Sequence, residues 1–359
     1  MSEEISIRPV IEQLPGYKAG ASAPQLTGFT PYKLSSNENP FNPLPGVLAE
    51  ISKSLADVNR YPDPLATELT NRLAAELGVA AEAIALGTGS VGVCQQIVQA
   101  LCDAGDEVIF AWRSFEAYPI ITTIAGAKSV QVPLASDGAH DLAAMVQAIT
   151  ERTKLIFICT PNNPTGNIVK HSQLLEFLAN VPKHILVVID EAYVEFNRDN
   201  QAVKSLELFG TFPNVAVLRT FSKAYGLAGL RVGFVVAPKS VAAAVRKTAV
   251  PFGVSNVAQA GAIASLDRQE ELQDRIAKVI ETRTWFEEQL KNLGFVVPES
   301  QANFIWLGLA EKSQSFAQEC NEVAIAVRCF PNEGIRITIG ERVALEQLLP
   351  ICARYAPSN

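Results

Sequence analysis

Residues 219–233 read RTFSKAYGLAGLRVG, a glycine-rich and largely apolar run in which Ser222 and Lys223 stand side by side and Arg231 follows eight residues after the lysine. The trio offers an amine, a hydroxyl and a planar cation. Lys223 comes shortly after the β-branched run VAVL, so it falls beyond a strand end, where partial desolvation lowers the pKa of an amine and makes it a nucleophile toward an aldehyde. Ser222 and Arg231 are the hydroxyl and the forked N–H donor that a phosphate asks for. A lone lysine is usually a solvated surface residue, but that reading leaves its neighbours unexplained.

Three further stretches carry polar groups at comparable places. VVIDEAYVEF puts Asp190 directly after an apolar run, where an ionised carboxylate requires a cation or donors to offset its desolvation. Taken alone, a helix N-cap explains Asp190 equally well; Tyr193, three residues on, brings a phenol to the same neighbourhood. TPNNPTGN is a turn by composition, in which Asn163 presents an amide at the sheet edge. GTGSVG, residues 87–92, satisfies G-x-G-x-x-G between a strand and a helix. The acid that a dinucleotide site needs at the end of the next strand is missing, because Asp106 and Glu107 precede VIFAW instead of following it. What remains is a glycine turn that either feeds backbone N–H groups toward a phosphate or merely reverses the chain.

An amine for an aldehyde, a hydroxyl and a guanidinium for a phosphate, a carboxylate for a pyridine nitrogen and polar donors for a ring oxygen together describe pyridoxal 5'-phosphate.

The elements that must position these groups are legible as an alternation. AIALGTG, DEVIFAW, KSVQVPL, TKLIFICT, HILVVID and NVAVLRT are short strand candidates, most of them separated by helical patterns such as ATELTNRLAAELG and VGVCQQIVQALCDAG. This predicts an α/β fold with a mainly parallel sheet and helices on both faces, with chemistry gathered in the loops that follow the strands. Residues 1–45, rich in Pro, Gly, Asn and Ser, read as an irregular arm that contributes to a smaller domain and to the site; residues 46–250 read as the large, cofactor-binding domain. Residues 251–359 carry long helical patterns, then NFIWLGL, IAVRCF, IRITIG and a last helix, and read as a small α+β domain.

Composition narrows the partners. A formal charge of −7 without a Lys/Arg run leaves no basic footprint for nucleic acid or an anionic membrane surface, so a small-molecule ligand is expected. The start, MSEEISIRPV, has no apolar leader and no stretch has the length of a membrane span, which predicts a cytoplasmic protein. Six scattered cysteines without a C-x-x-C pair read as buried reduced thiols, and three histidines without ligand spacing leave no expected metal site and little basis for a Ser-His nucleophile.

Taken in order, SSNENP, NRYPDP, GTGS, TPNNPTGN, VVIDEAYVEF, RTFSKAYGLAGLRVG, QANFIWL and IRITIG resemble the fold-type I pyridoxal-phosphate aminotransferases of classes I and II along nearly the whole chain. Within that family the chain looks like the histidinol-phosphate and aromatic branch; GSVGVCQQIVQ and WRSFEAYP look most like its phenylalanine, or aromatic amino acid, aminotransferases. The resemblance implies that Lys223 is the Schiff-base lysine, Asp190 the partner of the pyridine nitrogen, and Tyr193 with Asn163 the donors to the ring oxygen. It assigns the phosphate to Ser90, Val91, Ser222 and Arg231, with Tyr61 reaching over from the second subunit of a homodimer. Phe115 stands where the branch often has a stacking tyrosine, so stacking is kept and a hydroxyl lost. Arg336 is the implied clamp for a substrate carboxylate, with Arg328, Asn39 and Tyr17 also on the substrate side; Phe41, Phe115 and Trp112 are candidate apolar walls. The implied reaction is transfer of an amino group from an aromatic amino acid to 2-oxoglutarate, with histidinol phosphate as the alternative substrate. A nicotinamide-dependent oxidoreductase, resting on GTGSVG alone, is the rival from another class.

Overall fold

The computed structural model describes residues 5–357, so the first four residues of the acidic start and the last two of the chain lie outside the described residues. Eleven strands are found among them: β1 Tyr32–Leu34, β2 Ile84–Gly87, β3 Glu107–Trp112, β4 Lys128–Pro133, β5 Thr153–Cys159, β6 Leu186–Asp190, β7 Val215–Thr220, β8 Gly233–Val236, β9 Phe304–Leu307, β10 Ile325–Phe330 and β11 Gly334–Thr338. Seven form one sheet in the order β2-β8-β7-β6-β5-β3-β4, and four form a second in the order β1-β10-β11-β9.

The large sheet shows why its strands read as near-continuous apolar runs. Phe110, Phe157, Val188 and Leu218 point to one face, against Val93 and Ile97 of the helix Gly89–Leu101. Their neighbours Ile109, Ile156, Val187 and Val215 point to the other, against Leu174, Phe177 and Leu178 of the helix His171–Asn180. With helices on both faces, each position of a central strand is buried. All pairings in this sheet are parallel except those of β8, which runs antiparallel to both β2 and β7. β8 is absent from the strand candidates read in the sequence. It has only four residues, and what makes it a strand is the slot between β2 and β7.

The arm also holds more structure than its composition suggests: a short helix Pro9–Glu12, and β1, which pairs in parallel with β10. Beyond β1, residues 36–39 meet the loops that follow β6 and β7: Asn37 donates to Tyr193, Asn39 to the Lys223 and Ala224 carbonyls, and the Ser36 carbonyl accepts from Lys223. In the second sheet β10 and β11 are antiparallel, with Arg328 directly opposite Arg336.

Among the described residues no helix is long and apolar enough to cross a membrane. All six cysteines are unpaired; five are buried and Cys329 is half-buried.

Candidate active site

β5, β6 and β7 end in register, with Cys159 beside Asp190 and Asp190 beside Leu218, so the loops that follow open on one side of the sheet. There a cavity of about 360 Å³ collects twelve of the fourteen residues given a cofactor or substrate role above, the apolar walls Phe41 and Trp112 aside: Tyr17, Ser90, Val91, Phe115, Asn163, Asp190, Tyr193, Ser222, Lys223, Arg231, Arg328 and Arg336. Asn39 and Tyr61 are not on its wall.

The antiparallel strand β8 builds one end of this cavity. Its first residue, Gly233, is paired with both Gly87 and Thr220, which draws the glycine turn, Ser222 and Arg231 to one point. Only glycine allows the approach: a Cβ on Gly233 would lie 2.5 Å from the Ser90 nitrogen, and one on Gly89, whose φ is +76°, would strike the Arg231 guanidinium. Arg231 donates to Ser222 Oγ at 3.3 Å and to the Thr88 carbonyl at 3.3 Å, and the helix Gly89–Leu101 begins beside it with its first N–H groups free of intrahelical partners. A guanidinium, a hydroxyl and a helix N-terminus converge on one space, the set of donors that a phosphate group calls for.

In the middle of the cavity Asp190 is 3% exposed, and among the described residues no cation is bonded to it. It accepts from the Tyr118 hydroxyl at 2.5 Å and from the Ala192 N–H at 3.2 Å. Burial pushes its pKa up to about 6, against the pull of those two hydrogen bonds. A buried carboxylate with one strong donor and an open side suits a protonated ring nitrogen. Lys223 faces the same space, with Nζ 3.4 Å from the Ser36 carbonyl. Burial, reinforced by the Arg336 charge, brings its pKa down to about 7, so an unprotonated amine is available at neutral pH. Tyr193 Oη accepts from Asn37 Nδ2 at 2.9 Å and retains its own proton to donate, since burial holds the phenol well above its ordinary pKa.

At the remaining end stand the two cross-strand arginines. Arg336 donates to Asn163 Oδ1 at 2.6 Å and to the Ser35 carbonyl at 2.8 Å, while its buried Nε has no partner among the described residues. Arg328 donates to Glu116 at 2.6 Å and to the Ala19 carbonyl at 3.1 Å. Residues 17–20 of the arm border this end, and Tyr17 is 56% exposed.

The two outliers have their own surroundings. Asn39 donates to the carbonyls of Lys223 and Ala224 at 3.2 and 2.9 Å, which holds the loop carrying the amine. Tyr61, 82% exposed, stacks on Phe252 with ring centroids 4.6 Å apart. Of the three candidate apolar walls only Phe115 lines the cavity. Trp112 packs under the Arg113 guanidinium, and Phe41 lies beside Arg275. Reading the residues missed four groups that the structure adds: Tyr118, Asn37, Ser35 and Glu116. Tyr118 and Glu116 lie inside WRSFEAYP, and their spacing from Phe115 was the signal available; Asn37 lies inside SSNENP.

The sequence profile of the aminotransferase class I and II family matches residues 30–351. The chain is 53% identical over 349 residues to an aromatic amino acid aminotransferase of Streptomyces coelicolor, with 97% of each chain covered. It is 52% identical to an aromatic amino acid aminotransferase of Streptomyces avermitilis, again with 97% of each chain covered. Among solved structures, the histidinol-phosphate aminotransferase of Sinorhizobium meliloti in complex with pyridoxal-5'-phosphate superposes with a TM-score of 0.85 at 28% identity, covering 99% of this chain and 98% of that one.

Proposed function

The chain belongs to the class I and II aminotransferases, and on that premise we propose that it transfers amino groups between aromatic amino acids and 2-oxoglutarate with pyridoxal 5'-phosphate as cofactor. The carrying observation is the meeting, in one cavity, of an amine near neutral pKa, a buried carboxylate without a cation and a phosphate receptor. The aromatic names of relatives at about half identity support the substrate class.

When bound, the cofactor supplies an aldehyde that carries the amino group and a ring that accepts the electrons left when a Cα proton departs. Ser222, Arg231, Ser90 and the Val91 N–H would hold its phosphate; Asp190 would keep a proton on the ring nitrogen; Tyr193 and Asn163 would meet the ring oxygen, and Phe115 would cover the ring. Lys223, with a pKa near 7, both takes and returns a proton at Nζ, which suits it to be the general base and acid of the transfer. Arg336, with its unpartnered Nε, is the clamp for the substrate carboxylate.

The reading extends to an arm over residues 1–45, a large domain over 46–250 and a small one over 251–359, supported by the two separate sheets. It includes a homodimer in which Tyr61 serves the other subunit's site. Support comes from an exposed apolar cluster: Tyr61 on Phe252, with Leu65 63% and Val250 70% exposed, beside a further cavity of about 370 Å³. Six unpaired thiols support a cytoplasmic location.

Competition kinetics with phenylalanine and histidinol phosphate in one assay test the substrate. Phenylalanine is expected to show the higher kcat/KM, and Arg336→Ala to raise KM for the carboxylate substrates. Preferential turnover of histidinol phosphate would overturn the aromatic assignment.

A further inference from the structure

Of the three arginines on the cavity wall, Arg328 and Arg336 sit opposite each other on β10 and β11, yet their electrostatic situations differ. Among the described residues Arg336 has no carboxylate partner, and its bonds go to an amide and a carbonyl. Arg328 is ion-paired: Nη2 lies 2.6 Å from Glu116 Oε2, and the two side chains are only 12% and 28% exposed. The other Glu116 oxygen lies 4.0 Å from Arg113, whose own charge is met by Glu333 through two hydrogen bonds, one of 2.6 Å. Arg328 and Arg113 are therefore balanced by Glu116 and Glu333, which leaves Arg336, among the described residues, as the uncompensated cation at this end of the cavity. The exposed Lys18 at its border is screened by water.

Resting on the aminotransferase reading above, we infer that Glu116 is a specificity-determining residue: it neutralises Arg328, so that the side-chain end of the substrate pocket accepts an uncharged ring. Phe115, the preceding residue, supplies apolar surface at the same place. A substrate ending in a carboxylate, the co-substrate 2-oxoglutarate among them, enters by displacing Glu116 from Arg328, whereas a phosphate of roughly two negative charges must also sit beside the glutamate's own charge. Without Glu116, the half-buried Arg328 becomes an open anion receptor facing the same pocket as Arg336, and the preference turns toward dianionic substrates. Discrimination thus comes from a repulsive element next to a general cation, and the ring itself needs no polar contact.

Glu116→Gln removes the charge while keeping the volume and an oxygen that can accept from Arg328; Glu116→Ala is the second variant. In the cofactor-loaded protein, calorimetric titrations with glutarate and 3-phenylpropanoate, neither of which carries an amino group to transfer, read the pocket without turnover. The affinity ratio of glutarate to 3-phenylpropanoate is expected to rise fivefold or more, and the kcat/KM ratio of histidinol phosphate to phenylalanine tenfold or more. A smaller rise in the binding ratio overturns the inference. So does a fall, which would mean that Glu116 only positions Arg328. A wild-type protein that turns over no aromatic amino acid would count against the functional reading instead, and the binding ratio would still decide the role of Glu116.

Discussion

Tyr118 donates its phenolic proton to Asp190 across 2.5 Å, from a position in which its own ring is stacked on Phe157 with centroids 4.5 Å apart. Both residues are almost fully buried, and the hydrogen bond is the largest influence favouring the ionised carboxylate. Tyr118→Phe should leave the ring packing intact and raise the pKa of Asp190 further. The hydrogen bond to a charged group is worth about 1.5 kcal/mol or more, so kcat should fall roughly tenfold. The check is a pH–rate profile: the acid limb should move to higher pH, and a profile displaced only in height would contradict this role.

Asp190 itself links stability to pH. Its folded pKa of about 6 lies above the ordinary carboxylate value of about 3.9, so between those values the folded state holds a proton that the unfolded state has lost. Its contribution to stability therefore falls as pH rises through that window and is level above it. In the cofactor-free protein, Asp190→Asn should gain on the order of 2 to 3 kcal/mol relative to wild type between pH 4 and pH 8, while losing most turnover. Urea unfolding at the two pH values, with kcat on the loaded variant, reads both effects; equal stability differences at both pH values would refute the linkage.

Lys223→Ala should abolish transamination and keep the fold and some cofactor binding, because the phosphate receptor and Asp190 remain. In the wild-type protein stripped of cofactor, covalent capture of added pyridoxal phosphate, trapped by borohydride and read by mass, should quicken with pH through about 7 and then level off. Only the unprotonated amine attacks. A midpoint above pH 9 would mean that the amine is not desolvated as described.

Leu65→Asp with Val250→Asp puts charges into the exposed apolar cluster around Tyr61 and should convert the expected homodimer to a monomer of low activity. Light scattering alongside the assay decides it. A wild-type monomer with full activity, or a monomeric variant that keeps its activity, would defeat the idea that Tyr61 completes a second subunit's site.

The chemistry-bearing groups were legible in the sequence because burial leaves a local mark. Asp190, Asn163, Ser222 and Lys223 each follow a run of apolar residues that must be a central strand, and a polar group in that place has to be used or compensated. The alternation of strands and helices likewise gave the parallel sheet and the side of it on which the site opens.

Partner choice was decided by closure in three dimensions. Tyr118 meets Asp190 across 72 residues and Glu116 meets Arg328 across 212, and neither pairing leaves a periodic trace. β8 is a strand because it fills the slot between β2 and β7, and β1 because the edge of β10 accepts it: four and three residues carry too little pattern to specify an element, whereas a ladder of backbone hydrogen bonds does. The same closure set Asn39 against the backbone of Lys223 and turned Trp112 and Phe41 away from the cavity. An aromatic or amide side chain announces its type in the sequence, but which way it faces depends on the surface that packs against it.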